Sequence, residues 1–392
     1  MTTNILLTDM KHYFLLFILL SATIAMCGCT EELQPETSGT NGVVLDESGL
    51  TEAELNLSVN TFAVEVQAGT RASIPSSTPE TETAEEKEIL NIWVFQYDAV
   101  TEELLIKPRY YTIADQAMLQ NLPVYLKAGV PSIVYVVTNT GYDNWANDGT
   151  DASWQKFKDL EQLKKQTLPT AFPLRSIDKV SIPMAGASEE VEVTAGITVT
   201  VPVTRMYAKL KVKVEMLKEE MKLNNVNVRQ IPNICRVETL AGDGNGEPMN
   251  AVPFPGGTTF SSIAFAASDL EKNEDKEWAV FYVPENLQGE IETLGGSKSD
   301  VAPSDALVVD VTTEIDGERY LYAAYSGGNS LNNFNIQRNQ VYRMTLTITG
   351  EKGQNNPSSN CFVVKPNGFL SFEPYYRVET GGGYNFADYL SP

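Results

Sequence analysis

Histidine is almost missing from this chain. His12 is the only one in 392 residues, and none follows it. The body of the chain therefore has no Ser-His-Asp or Cys-His nucleophile arrangement. Histidine-bearing zinc sites are excluded too, and Cys235 and Cys361 alone cannot form a four-cysteine site. Positive charge is scarce as well: 29 Lys and Arg stand against 51 Asp and Glu, a formal net charge of −22. Such a surface repels phosphate backbones, so no nucleic acid is expected as a partner, and it keeps an exported protein soluble. Paired carboxylates of the glycosidase kind remain available. Among so many acids, however, adjacent carboxylates arise by chance, and neither an enzyme nor a cofactor is expected. A long apolar run is also lacking. Tyr13 to Cys27 holds fifteen apolar or small residues, whereas a spanning helix needs roughly 20.

That short run has a different layout. Lys11 and His12 precede it, and small residues surround its end, as in a secretory signal rather than a buried core helix. Its exit, "MCGC", resembles a bacterial lipobox. Gly28 is the small residue wanted before an acylated cysteine, so Cys29 is the expected lipidation site. Cys27 fits less well, because the bulky Met26 precedes it. Acyl chains contribute about 0.8 kcal/mol for each buried methylene, enough to anchor the protein in a bilayer. The "TEE" after Cys29 resembles the acidic tag of surface-exported lipoproteins in Gram-negative anaerobes. Residues 1–29 are thus read as a lipoprotein signal peptide and 30–53 as an acidic linker. Between Thr30 and Glu88 thirteen acids face only Arg71 and Lys87, which argues for a solvated approach to the body. In an oxidising compartment Cys235 and Cys361 form either one disulfide or two buried thiols.

The first structured stretch is "ELNLSVNTFAVEVQ". Leu55, Leu57 and Val59 alternate, and Phe62, Val64 and Val66 alternate after a one-residue slip at Asn60–Thr61. Period two predicts a strand over 54–67 with one buried face, and the slip predicts a bulge or bend. Residues 68–88 have no apolar period and read as an exposed loop. "NIWVFQYD" and "VPSIVYVVTNTG" read as buried strands, and "LLIKPRYYTI" and "LPVYLKAG" as further strands. "SWQKFKDLEQLKKQ" predicts one helix, with Ser153 as N-cap and Trp154, Phe157, Leu160 and Leu163 on one face. In "TRMYAKLKVKVEML", Arg205, Lys209, Lys211 and Lys213 alternate with apolar residues. That predicts a half-exposed strand with a basic outer row, whose lysines discourage edge-to-edge pairing if it lies at a sheet edge. A domain boundary is placed before it, giving 54–203 and 204–392. Many short strands, turn signals and one helix predict a mostly β chain of two β-sandwiches.

Two other features have plain readings. "GDGNGE", Gly242 to Glu247, offers oxygens at Asp243, Asn245 and Glu247, but a calcium loop needs more ligands at set distances, and a hairpin turn accounts for it. Trp93, Phe95, Tyr97, Tyr135, Trp278, Phe281 and Tyr282 lie in strand patterns and are read as core, not as a ligand platform.

The order of these features resembles the Bacteroidetes fimbrillin family, the subunits of type V pili. A lipobox and acidic linker come first, then one alternating strand and a loop with a lone Arg. "NIWVFQYD" opens one domain and "VTVPVTRMYAKLKVKVEM" another, with "NQVYRMTLTI" and "NCFVVKP" near the end. "NCFVVKPNGFLSF" is most similar to the longer, tip-associated members, in which more sequence can follow. The resemblance implies two tandem transthyretin-like β-sandwich domains with one or few short helices. It implies export as an outer-membrane lipoprotein, then cleavage by a trypsin-like protease after Arg71, before Ala72. The cut would free the strand carrying Leu55, Leu57, Val59, Phe62, Val64 and Val66. A neighbouring subunit's C-terminal end would fill the vacated groove by β-strand addition. In this sequence that end carries Tyr384, Phe386, Tyr389 and Leu390 after a Gly381–Gly383 hinge. The implied partners are other fimbrial subunits, the outer membrane through lipid, and a host or bacterial surface ligand. A membrane-retained anchor subunit and a surface glycan-binding lipoprotein are the alternatives.

Overall fold

A computed structural model describes residues 45, 47–62, 82–141, 145–146, 153–169, 173–179, 181–216, 218–238, 251–273, 276–291, 301–328 and 332–348, with backbone only at 362–364 and 376–378. The chain is mostly β, with several sheets and a few short helices.

The first half supplies β1 (Leu50–Val59), β2 (Asn91–Asp98), β3 (Arg109–Thr112), β4 (Leu122–Lys127), β5 (Pro131–Thr138), β6 (Thr167–Pro169), β7 (Leu174–Arg175), β8 (Met184–Ala187), β9 (Val191–Glu192) and β10 (Thr198–Arg205). Their order is β3-β2-β5-β8-β10-β1-β4, with β9 on β5. β10 pairs with β1 along most of its length and with β8 at its last two residues, so it carries the ladder from one layer to the other. The crossing is tight. A Cβ on Gly186 of β8 would lie 1.9 Å from the Pro202 carbonyl oxygen, which only glycine avoids. Alternation fills the space between the layers: Ala53, Leu55 and Leu57 of β1 meet Val124 and Leu126 of β4, Val134 and Val136 of β5, and Val199, Val201 and Val203 of β10.

The second half supplies β11 (Tyr207–Met216), β12 (Lys222–Pro232), β13 (Ile234–Arg236), β14 (Phe260–Ala266), β15 (Ala279–Pro284), β16 (Val308–Ile315), β17 (Glu318–Tyr325), β18 (Val341–Ile348), β19 (Phe362–Val364) and β20 (Tyr376–Val378). One sheet runs β19-β18-β11-β15-β7 and the other β14-β12-β16-β17-β20. Leu210, Val228, Phe281, Val309, Tyr322 and Met344 are part of the core between them.

A third core lies outside the first sandwich. β2 is buried on both faces: Ile92 and Val94 enter the sandwich, while Trp93, Phe95 and Tyr97 face outward. The outward rings pack on Phe157, Leu160 and Leu163 and join Tyr207, Cys235, Val280 and Tyr282 of the second half. Trp145, Ala146, Trp154, Leu168 and Ile182, between β5 and β8, complete this layer. β7 pairs with β15 and extends a sheet of the second half, while β6 pairs with β13 in a separate two-stranded sheet, so two segments of the first half pair with strands of the second.

Two sequence expectations are corrected here. The single helix over 153–166 is broken into a 3-10 turn, Ser153–Phe157, and α1 (Leu160–Lys165). Asp159 causes the break. It is extended, its carboxylate accepts the Gln162 N–H at 2.7 Å, and it caps α1 in place of Ser153. The basic outer row is also only half right. β11 lies between β15 and β18, not at an edge. Arg205 is fully buried and Lys209 nearly so, whereas Lys211 and Lys213 are only partly covered.

Candidate functional site

β1 is the element on which function was expected to turn. It runs Leu50–Val59, so it starts four residues before the expected strand and ends well short of Gln67. It is an interior strand. On one side Glu54–Val59 pair in parallel with Thr198–Val203 of β10. On the other Leu50–Leu55 pair antiparallel with Leu122–Lys127 of β4. Ala53 and Leu55 are 0% exposed and Leu57 8%, while Glu52, Glu54 and Ser58 face water. Val59 is half-buried.

The slip at Asn60–Thr61 is where the chain leaves the sheet. Asn60 still donates its N–H to the Val203 carbonyl at 2.9 Å and its side-chain amide to the Thr204 hydroxyl at 2.8 Å. Phe62 then turns under the sandwich and is buried, outside any strand. It sits on a cation: the Arg205 guanidinium carbon lies 4.2 Å from the ring centre, and the Lys209 ammonium 5.7 Å.

Around that ring is a buried polar clasp. Arg205 Nη1 donates to the Asn60 carbonyl at 2.7 Å and lies 3.3 Å from both Glu82 Oε1 and Asn339 Oδ1. Its Nε donates to the Glu86 carbonyl at 2.8 Å. The Asn339 amide donates to the Thr61 carbonyl at 2.7 Å, and Phe62 N–H donates to Glu82 Oε1 at 2.6 Å. Glu86, fully buried, accepts from the Thr83 N–H, the Tyr282 hydroxyl and the Lys209 ammonium at 2.8, 2.6 and 2.8 Å. Burial pushes the Glu82 carboxyl up. The Lys87 ammonium at 2.8 Å, the Phe62 N–H and the Arg205 charge outweigh it and hold the group below the usual carboxylate range. Three regions meet here: the end of β1, the segment Glu82–Lys87, and the second half through Lys209, Tyr282 and Asn339. A second ion pair lies nearby. Arg338 grips Glu285 through Nε and Nη2 at 3.1 and 2.9 Å and donates to the Val237 and Arg236 carbonyls.

The other expected positions have these outcomes. Cys29, Val64, Val66, Arg71, Ala72, Tyr384, Phe386, Tyr389 and Leu390 lie outside the described residues, as do Cys361 and the GDGNGE segment. Cys235 is a buried thiol, pushed up to about 12 by its burial. Six of the seven aromatics read as core are buried, and Trp278 is partly covered beneath Lys211. Among the described residues no helix is long and apolar enough to cross a membrane.

Sequence reasoning missed the clasp. Asn339 and Glu82 carry no local signal. Arg205 and Lys209 were visible only as part of a charged alternation that is normally solvated.

Fold and clasp together define a mostly β, two-sandwich protein whose first strand is an interior one, fastened at its exit. The sequence matches a family model described as a domain of unknown function, DUF4906, over residues 281–346. No curated protein matches the chain. Several solved structures are similar to it. The tip fimbrial protein Mfa3 from Porphyromonas gingivalis, with a C-terminal truncation, is 13% identical with a TM-score of 0.44, covering 77% of this chain and 96% of that one. A putative cell adhesion protein from Bacteroides eggerthii is 14% identical with a TM-score of 0.46, covering 86% and 99%. The fimbrial anchor protein Mfa2 from Porphyromonas gingivalis is 13% identical with a TM-score of 0.36, covering 83% and 99%.

Proposed function

We propose that this chain is a structural and adhesive subunit of a cell-surface fimbria, a minor or tip component, and that it assembles by exchange of β1 for an extended segment of another subunit. The observation that carries this reading is the position of β1. It is hydrogen-bonded on both sides and its inner side chains lie in the core, yet it is the first strand among the described residues. After Phe62 it connects onward only through residues 63–81. Its loss would leave β10 and β4 with unpaired backbone rows facing an apolar groove. Burying Leu55 and Leu57 contributes roughly 1.5–3 kcal/mol each, so an empty groove is costly and an incoming strand is strongly favoured.

The fimbrillin resemblance supports three further assignments. Cys29 carries lipid to the outer membrane during export, Arg71–Ala72 is the cut, and Tyr384, Phe386, Tyr389 and Leu390 belong to a donor end. The partners are other fimbrial subunits, and the tip reading adds a ligand on a host or bacterial surface.

The clasp favours a second reading, a membrane-retained anchor subunit that keeps β1 in place. One experiment separates the two. The lipid-free protein is treated with a low dose of trypsin, and products are followed by mass and electron microscopy. Exchange predicts a cut after Arg71, release of the leading segment and appearance of oligomers, all lost in Arg71→Ala. A cut without oligomers, with the leading segment still bound, supports the anchor. Normal fibres from the Arg71→Ala variant in cells would remove Arg71 from the mechanism.

A further inference from the structure

We propose that the place now filled by Asn60–Phe62 is a specificity subsite for the segment that replaces β1, and that it selects an aromatic side chain five residues beyond the one seated where Leu57 lies. The inference rests on the strand-exchange reading and adds to it a rule for which segments fit.

A cut between Phe62 and Glu82 divides the clasp unevenly. The Asn60–Phe62 half leaves with β1, while Glu82, Glu86, Arg205, Lys209 and Asn339 stay. Arg205 Nη1 then loses the Asn60 carbonyl, the Asn339 amide loses the Thr61 carbonyl, and Glu82 Oε1 loses the Phe62 N–H. Both cations lose the ring. Arg205 cannot follow them out, because its backbone is in β10 and its Nε is held by the Glu86 carbonyl. Its Nη2 already has no hydrogen-bond partner among the described residues. Buried donors left unpaired are costly, so the bay asks for a replacement with matching groups.

Those groups are specific. The bay takes a backbone offering two carbonyls and then one N–H. Beyond them it offers a flat cationic floor. Glu82 and Glu86 already face Arg205 and Lys209, so an acidic side chain has no unmet charge to answer, and a basic one meets like charge. An aliphatic side chain fills volume but gives the guanidinium no π face. An aromatic ring does both.

The spacing is equally specific. In β1 the inward residues Leu57 and Val59 are followed by Phe62, at i, i+2 and i+5, because of the slip at Asn60–Thr61. Near its C-terminal end the chain repeats this spacing as Tyr384, Phe386 and Tyr389. In that alignment Gly382 falls on the place of Leu55, so the match is to the clasp end of the groove. The occupant is therefore an extended segment with two apolar residues and an aromatic at i, i+2 and i+5, of the kind a second copy of this chain carries.

The test uses full-length protein cut after Arg71, with loss of the leading segment checked by mass. Fluorescent peptides spanning residues 50–67 and 378–392 are titrated onto it, each in three forms: parent, and Ala or Leu in place of Phe62 or Tyr389. The subsite predicts that both parents bind and that both replacements weaken binding roughly tenfold or more, about 1.4 kcal/mol for each factor of ten. Arg205→Lys in the protein should shrink the gap between parent and Leu peptides. If that variant does not fold, the peptide series decides alone. Equal binding of parent and Leu peptides overturns the subsite and leaves strand exchange standing. No binding by any peptide to a protein that has lost β1 overturns strand exchange, and the subsite with it.

Discussion

Arg205 and Glu86 are both fully buried in a protein with 51 acids free to take the surface. Burying such groups is costly unless their polar atoms find partners. Here Arg205 is held by the Asn60 and Glu86 carbonyls and by the Glu82 and Asn339 side chains, and Glu86 by Thr83, Tyr282 and Lys209, so the charges tie the exit of β1 to Glu82–Lys87 and to the second half. Glu82 is the member whose titration has consequences. Its carboxyl is held below its ordinary 4.5, so the stabilisation it gives is complete above that value and drains as the pH falls through the lower folded value. Glu82→Gln should therefore be less stable than the parent at neutral pH, with the gap closing below about pH 4.5. Urea midpoints for both proteins across that range check this. A gap that stays constant into acid would place the group's charge outside the balance. Little at this scale was legible in advance. The sequence shows Arg205 and Lys209 in a charged alternation, and only tertiary contacts from residues more than a hundred positions away turn that row inward.

β1 was more legible. Its alternation marked the inner face, whereas the slip at Asn60–Thr61, read as a bulge or bend within a strand running to Gln67, is where the chain leaves the sheet. What could not be read was where pairing ends. That depends on β10, whose last two residues turn to β8 and leave β1 no ladder beyond Asn60. The apolar residue after the slip, Phe62, belongs to a different layer from Leu55 and Leu57. Leu55→Ala should cost roughly 2–5 kcal/mol in urea unfolding, as for other buried leucines. Ser58→Ala, on the wet face, should stay within about 0.5 kcal/mol. Equal effects would mean that β1 does not contribute its apolar face to the core. The expected helix failed for a related reason. Apolar spacing of three was real, and Trp154, Phe157, Leu160 and Leu163 all reach one core. A single Asp159 with its own capping preference splits the run in two without disturbing that face.

At the level of the molecule, two sandwiches were visible in the number of short strands, and their joining was not. β6 and β7 are three and two residues long, too short for any periodic signal. Yet they pair with β13 and β15, and the aromatic face of β2 forms a shared core with the second half. The two halves should therefore melt together. Calorimetry of the protein is expected to give one transition whose van't Hoff and calorimetric enthalpies agree. Two resolved peaks would show that these pairings do not couple the halves. The parallel ladder of β1 with β10, six residue pairs long, also has a mechanical side. Tension along the strand axis would load all of its bonds at once, whereas tension across it would unzip them one by one. A chain of subunits gripped lengthwise in that slot would withstand the drag of flowing liquid with no covalent bond between its links.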